Sequence, residues 1–503
     1  MRLLDLIAAL PEARVDGPTD REVGAIRTDS RAVQAGDVFI AYPGIKVDAH
    51  RFVENAIGNG ASVVVVEKDV DVPDDVTRII VPSGRGAWAL FSAAEAGFPS
   101  RKLIVIGVTG TDGKTTTASL LGSILRAAGL KVGLITTVSA QIDDEAIDTG
   151  FHTTTPEPPE IQSYLAQMVD RGVTHAIIET TSHGLSLEKV LGIDYDVAIL
   201  TNVTQDHLDF HQSHENYFKA KLRLFEMVSS SEPKPGVPKA AILNADDPGF
   251  EMFMAVPIGE QLVYGLDHPA DITAIDIRLD HRGARFRAHS PFFSIPVETR
   301  LPGRFNVSNA LAAIAASLVL NVPPRAIKAG LKALAAIPGR IESIDRGQPF
   351  RVIVDFAHTP NSLRRVLELA RSLTKGKLSV VFGCAGERDA EKRPMMGQIA
   401  AELADRVYLT SEDPREEALT TIMEQVLTGV RGAAGTAAVI PDRGDAIKQA
   451  LRDAKRGDLV LITGKGHEQS MCFGTVERPW SDQAAVGKVL TELGYPANTE
   501  TPT

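Results

Sequence analysis

The segment Gly107-Val108-Thr109-Gly110-Thr111-Asp112-Gly113-Lys114-Thr115-Thr116 has residue types at a spacing that can hold a nucleoside triphosphate. An apolar run, Leu103–Val108, precedes the turn, and an amphipathic helical pattern, Thr115–Ala128, follows it. Glycines let backbone N–H groups close on phosphate oxygens, and the helix N-terminus adds its dipole. Lys114 would neutralise β- and γ-phosphate charge, and the Thr115 hydroxyl would ligate Mg²⁺. The spacing departs from the common rule, which asks for glycine where Val108 stands. Two further residues are placed for chemistry. Glu179 ends the strand-like run Ala176–Glu179, and His207 follows Val197–Thr201. Both would therefore sit at the carboxyl end of the sheet, near the phosphate loop.

Positioning these groups requires strands and helices in alternation. The chain has 503 residues, enough for about three domains. The first hundred residues mix strand-like runs (Asp37–Ala41, Ala61–Glu67, Arg78–Val81) with helical patterns (Arg51–Asn59, Gly86–Ala96). The second unit opens at Leu103 and carries further strand-like runs through Ala240–Leu243. Alternation of this kind implies a parallel sheet with covering helices. Ser229–Pro238 is polar and Pro-rich and reads as a surface loop inside that unit. Asp271–Arg300 alternates in period two around His281-Arg282-Gly283, the signature of a small antiparallel insert. Ser308–Val319 is an Ala-rich helix. A third doubly wound pattern has strands at Val352–Asp355, Leu378–Phe382, Arg406–Leu409 and Leu459–Ile462. The polar tail Tyr495–Thr503 reads as frayed.

Composition excludes several classes. The formal net charge of −11 argues against a nucleic-acid coat or an anionic-membrane binder. The longest apolar stretch, Ala310–Leu320, is too short to span a bilayer. An early Asp5 and the lack of a small-residue cleavage site argue against a signal peptide. Two cysteines, Cys384 and Cys472, imply no disulfide framework and fit a reducing, cytoplasmic setting. No repeat of fixed period is present.

The spelling Thr-Gly-Thr-Asp-Gly-Lys-Thr-Thr closely resembles the Thr-Gly-Thr-Asn-Gly-Lys-Thr-Thr loop of the Mur ligase family. Further blocks agree in family order across nearly the whole chain. They include Thr28-Asp29-Ser30-Arg31, Glu179-Thr180-Thr181-Ser182-His183, Asn202–Asp209, Lys219-Ala220-Lys221 and Gly303–Ala310. Pro338-Gly339-Arg340-Ile341-Glu342 and Gly383–Asp389 follow the same order. Asp355-Phe356-Ala357-His358-Thr359-Pro360 with Gly464-Lys465-Gly466-His467-Glu468 looks most like the tripeptide-synthetase branch, which adds the third residue of the peptidoglycan stem peptide. The resemblance implies an α/β fold in three domains. These are a small N-terminal α/β domain over residues 1–99, a central P-loop NTPase-like parallel sheet with a small antiparallel insert over residues 100–338, and a C-terminal Rossmann-like domain over residues 339–503.

The activity implied is an ATP-dependent acid–amino-acid ligase of peptidoglycan (cell wall) biosynthesis. The D-Glu γ-carboxylate of UDP-N-acetylmuramoyl-L-Ala-D-Glu attacks ATP, and a diamino acid displaces phosphate from the acyl phosphate. By the family match, ATP contacts fall on Gly110, Thr111, Asp112, Gly113, Lys114, Thr115, Thr116, Asn306, Asn309, Arg340 and Asp355. Lys114, Glu179, His207 and Lys221 would be catalytic, with Mg²⁺ held by Thr115, Glu179, His207 and Lys221. Lys221 is expected as a CO₂-derived carbamate, since a free ammonium would repel Mg²⁺ and a carbamate supplies an oxygen ligand. The UDP-sugar contacts implied are Ser30, Thr154, Thr155, Thr181 and Lys189. Lys189 stands where the family often has Arg, and Leu187 where it often has Gln.

Arg388, Asp413, Arg415, Gly464 and Glu468 match the amino acid contacts. The specificity box reads Glu412-Asp413-Pro414-Arg415, against Asp-Asn-Pro-Arg in enzymes that add meso-diaminopimelate. Arg415 suits a distal carboxylate, whereas Asp413 would repel it and attract an ammonium. Arg415 could instead pair with Asp413 or Glu416, so lysine and ornithine stay open beside diaminopimelate. No nucleic acid and no membrane insertion are expected, and the chain is expected to be a monomer. The rival readings are another ligase of the superfamily, such as a folylpolyglutamate synthetase, and a P-loop nucleotide switch without ligase chemistry.

Overall fold

A computed structural model of the protein describes residues 1–44, 47–143, 145–147, 155–204, 208–433 and 435–496. Thr154 and His207 lie outside the described residues. Among the described residues no helix is long and apolar enough to cross a membrane.

Among the described residues three large sheets organise the chain, beside a two-stranded hairpin of Ser470–Phe473 and Val476–Pro479. The first has five strands in the order Arg14–Asp16, Thr77–Ile80, Val63–Val66, Val38–Ile40 and Ile26–Arg27. All its neighbours run parallel except the first pair. The four valines of Val63–Val66 are fully buried, as expected for a strand covered on both faces.

The central sheet has eleven strands among the described residues. Its parallel core runs Glu260–Gly265, Ala240–Asn244, Val197–Leu200, Ile104–Thr109, His175–Glu179 and Val132–Ile135. Ile104–Thr109 therefore lies between the strands that end at Leu200 and Glu179. The register sets Glu179 beside Val108 and Leu200 beside Thr109. The antiparallel strands Ile272–Asp280, Gly283–Ser290 and Phe293–Thr299 form a meander, as the period-two pattern predicts. They are not a detached insert: Tyr264 pairs with Ile272, so the meander extends the parallel sheet. Alternate residues of its inner face, Phe286, Ala288, Ile295 and Val297, join the main core.

The helix Lys114–Ala127 packs against Arg304–Val319 and Pro324–Ala333. Arg304–Val319 is buried almost all round, and its alanines allow close approach on every side. The Pro-rich segment 229–238 is pinned to the sheet from within this unit. Lys234 and Lys239 both pair with the fully buried Asp196, at 2.5 and 3.0 Å, and Asp196 also accepts the Val105 N–H at 2.8 Å.

The third sheet has the order Glu342–Ser343, Arg351–Val354, Leu459–Ile462, Leu378–Phe382, Arg406–Leu409 and Ala437–Val439. Only the edge strand Glu342–Ser343 is antiparallel. Direct contacts join this unit to the phosphate loop. The Asn361 amide donates to Asp112 Oδ2 at 3.0 Å, and Arg340 Nη2 donates to Thr115 Oγ1 at 3.2 Å.

Candidate active site

Parallel strands deliver their carboxyl ends to one side of a sheet, where the following loops meet. Here those ends from two sheets face each other across a cleft of about 400 Å³. Its lining includes the whole run Gly110–Thr116, then Thr155, Glu179, Thr181, Lys189 and Lys221 from the central unit. Asn306, Asn309, Arg340 and Asp355 line it as well, as do Arg388, Asp413, Arg415, Gly464 and Glu468. Ser30 is not among the lining residues; it is buried in a short 3₁₀ turn of the first unit, where its carbonyl accepts the Asn59 amide.

The phosphate loop is shaped by its neighbours. Thr111 N–H donates to the Asn202 carbonyl at 2.6 Å, and the Asp112 carbonyl accepts from Thr201 Oγ1 at 2.7 Å and Asn202 Nδ2 at 2.9 Å. Gly113, at φ +85°, caps the helix, and a Cβ there would run into the Asn309 amide. Asn309 is oriented in turn by Asn306, whose own amide is tied to the Pro302 carbonyl. Lys114 Nζ folds back on the Thr111 carbonyl at 2.8 Å. Its ammonium thus sits over the loop.

Beside the loop, Glu179 Oε2 accepts from Thr115 Oγ1 at 2.8 Å and from the Thr137 N–H at 3.1 Å. Glu179 and Thr115 are nearly fully buried. A buried carboxylate and a hydroxyl, both hard oxygen donors in contact, suit Mg²⁺. Lys221 is also buried; its Nζ donates to the Gly110 carbonyl at 2.7 Å and lies 4.3 Å from the Tyr217 ring centroid. Among the described residues no cluster of three His, Cys, Asp or Glu side chains is gathered as a metal site. Arg340 faces the same spot from the third unit, stacked 4.6 Å over the Phe356 ring. Among the described residues its buried Nε has no hydrogen-bond partner, a cationic donor left for an anion.

Asp355 lies at the end of its strand, as expected, but its oxygens accept the backbone N–H groups of Ile341 and Ala357, both at 2.8 Å. Burial raises its pKa. Lys189 lines the cleft as an ion pair with Glu157 at 2.6 Å, and its Nζ also reaches the Thr155 carbonyl. Thr155 and Thr181 join their hydroxyls at 2.7 Å.

The amino acid end is crowded with buried charge. Asp413 is paired with Lys465, at 2.8 and 2.9 Å, and not with Arg415. Lys465 also pairs with Glu468. Arg415 lines the cleft, and its guanidinium makes no hydrogen bond or ion pair among the described residues. Glu412, not singled out in the sequence, is buried, and its Oε2 has no hydrogen-bond partner among the described residues. Burial pushes its carboxyl up to about 7, with Asp413 adding to the effect and Arg443 opposing it. Gly464, at φ +106°, gives Glu412 its room, because a Cβ there would overlap the carboxylate. His467 is the other residue that sequence reasoning did not assign. It stacks 4.9 Å from Phe356, and burial, with Arg340, pushes its imidazole down to about 4. The signal for both was present, since each sits inside a matched block; Thr137 and Asn361 carried none.

A phosphate loop, a buried carboxylate beside it, and a second charged pocket facing it describe a nucleotide-dependent ligase more closely than a switch. Family models match in three consecutive pieces: the Mur ligase family catalytic domain over residues 22–96, the Mur ligase middle domain over 108–317, and the Mur ligase glutamate ligase domain over 339–466. A UDP-N-acetylmuramyl-tripeptide synthetase of Roseiflexus sp. is 41% identical over 98% of this chain and 100% of its own length. The chain belongs to the Mur ligase family. Mur ligases are ATP-dependent amide ligases, and this chain is an enzyme of that type. A UDP-N-acetylmuramoyl-L-alanyl-D-glutamate--2,6-diaminopimelate ligase of Syntrophomonas wolfei is 42% identical over 97% of this Mur ligase and 99% of its own chain. A solved structure of a ligase of the same name matches with a TM-score of 0.66 at 29% identity, covering 97% of this chain and 99% of that one.

Proposed function

We propose that this Mur ligase adds meso-diaminopimelate to UDP-N-acetylmuramoyl-L-alanyl-D-glutamate, with ATP, in peptidoglycan synthesis. The observation that carries the choice of amino acid is the pairing of Asp413 with Lys465, which leaves the Arg415 guanidinium for a substrate carboxylate. The names of the relatives support the same reading. We assign residues 1–99 to the UDP end, 100–338 to ATP and 339–503 to the amino acid, in a cytoplasmic, monomeric enzyme.

The chemistry brings phosphates and a carboxylate together, so cancelling negative charge is the main task. Bound Mg²⁺, held by Thr115, Glu179, His207 and a carbamate on Lys221, would supply part of that cancellation. The Lys221 carbamate would keep an N–H for the Gly110 carbonyl that the amine now engages. Lys114 and Arg340 bring cationic donors to the phosphates from opposite walls of the cleft. The D-Glu γ-carboxylate oxygen bonds to the γ-phosphorus as ADP leaves. The amine nitrogen then attacks the acyl carbon, loses a proton, and expels inorganic phosphate. The Arg340–Thr115 and Asn361–Asp112 contacts hold the two walls together, keeping water from the acyl phosphate.

The test is ADP release from the full chain with UDP-N-acetylmuramoyl-dipeptide and each of diaminopimelate, lysine and ornithine. Amide product with diaminopimelate at the highest kcat/KM is expected. Turnover with a folate and glutamate in its place would overturn the reading. The carbamate is tested by Lys221→Ala: activity is lost and partly restored by short-chain carboxylic acids. Full activity without them would refute it.

A further inference from the structure

The charge pair at the amino acid end joins two loops that are distant in sequence. Asp413 follows the strand Arg406–Leu409, and Lys465 follows Leu459–Ile462. Both Asp413 oxygens meet Lys465 Nζ, and the Cys472 N–H donates to Oδ1 at 2.9 Å. Lys465 is wholly buried, and Glu468 pairs with it from the same loop. Burial alone would lower its ammonium, but Glu468 and Asp413 outweigh burial and keep it charged. Arg415 lies two residues past Asp413 with a left-handed backbone at φ +53°. That backbone is clamped by Arg415 N–H to the Cys472 carbonyl at 3.1 Å and Gly474 N–H to the Arg415 carbonyl at 2.8 Å. The guanidinium extends into the cleft from this fixed base.

We propose that Lys465 is a specificity-determining positioning residue: by neutralising Asp413 it leaves Arg415 to read a carboxylate on the incoming diamino acid. A buried carboxylate with no partner draws in the nearest mobile cation. Arg443, which also feels the Asp413 charge, is held by Asp482, so without Lys465 the mobile cation expected to answer Asp413 is Arg415, two residues away in the chain. The same bare carboxylate would repel a distal substrate carboxylate and favour a distal ammonium. One lysine on a separate loop therefore decides whether the pocket selects an amino acid ending in a zwitterion or one ending in an ammonium alone. This inference rests on the diaminopimelate reading above.

The experiment compares the full-length chain with Lys465→Met, Asp413→Asn and the double variant. KM and kcat are measured for meso-diaminopimelate and L-lysine, and thermal melting confirms folding. Lys465→Met is expected to raise the diaminopimelate KM roughly 10- to 100-fold while moving the lysine KM less than roughly threefold. The double variant, whose pair is neutral, is expected to recover most of the loss. Asp413→Asn alone is expected to sharpen the preference for diaminopimelate, and it decides the matter if Lys465→Met does not fold. Equal losses for both amino acids in Lys465→Met, or an unchanged preference in Asp413→Asn, would overturn the proposal alone, provided the unsubstituted chain adds diaminopimelate. An unsubstituted chain that adds no diaminopimelate overturns the parent reading and this proposal together.

Discussion

The phosphate end and the amino acid end of the cleft are built in different ways. The phosphate end is a single contiguous turn, Gly110–Gly113, gripped through its own backbone N–H and carbonyl groups by the Asn202 carbonyl and amide and the Thr201 hydroxyl. The amino acid end is built from side-chain charges on four separate stretches. Arg443 pairs with Asp482, and Lys465 pairs with Asp413 and Glu468. A backbone cradle needs correct conformation, whereas buried ion pairs need every charge to keep its partner. Side-chain damage at the first end should therefore fall on rate, with stability lost there only where the backbone conformation is disturbed, and damage to the second should fall on stability and choice of substrate.

The largest contrast is expected at Arg443→Met. Arg443 and Asp482 are both essentially unexposed, and Trp480 Nε1 also donates to Asp482. Removing one partner of such a pair typically costs about 3–5 kcal/mol. Thermal and denaturant unfolding should show that loss. A change under about 1 kcal/mol would break the comparison.

At the phosphate end, Glu179→Gln should lower kcat by roughly 10²–10³-fold, the scale seen when one electrostatic contributor is removed. Its melting temperature should barely move, because an amide can still accept from Thr115 and Thr137. Steady-state kinetics beside calorimetry check both halves. Gly113→Ala is expected to destabilise by roughly 2 kcal/mol, from its φ of +85° and the Asn309 amide in the way. It should raise the KM for ATP and leave that for the amino acid unmoved.

Glu412 separates the two ends by pH. Its carboxyl titrates near 4.5 when unfolded and is pushed up to about 7 in the fold. The folded state thus favours the protonated form. The stabilisation this gives is complete below about 4.5 and is lost as pH rises toward about 7. Glu412→Gln does not ionise, so it should match the unsubstituted chain at pH 4 and exceed it by roughly 3 kcal/mol at pH 8. Melting curves across that range, without substrate, measure it. A stability gain at low pH instead would reverse the sign and exclude a buried, pushed-up carboxyl.

Much of the phosphate end was legible because its signals are local. A strand, a glycine turn, Lys114-Thr115 and a helix lie in one stretch of sequence. Glu179 was legible as a strand end, and register alone then sets it beside Val108. The period-two meander was legible too, although not its attachment through Tyr264 to the parallel sheet. The amino acid end was read only in part. Sequence left Asp413 and Arg415 in conflict, because the residue that settles Asp413 lies on another loop 52 positions away. Lys189 likewise read as a UDP-sugar contact, and its pairing with Glu157 becomes visible only once the two are folded together.

By itself, the sequence determined where strands end and which glycines must turn. Hydrophobic runs and φ-permissive residues act over a few positions, and nothing distant is needed to interpret them. Tertiary structure decided which charges cancel. An ion pair forms between whatever groups the sheets bring within a few ångströms, and burial then makes that pairing obligatory. Asp413 with Lys465 and Arg443 with Asp482 are both choices of that kind.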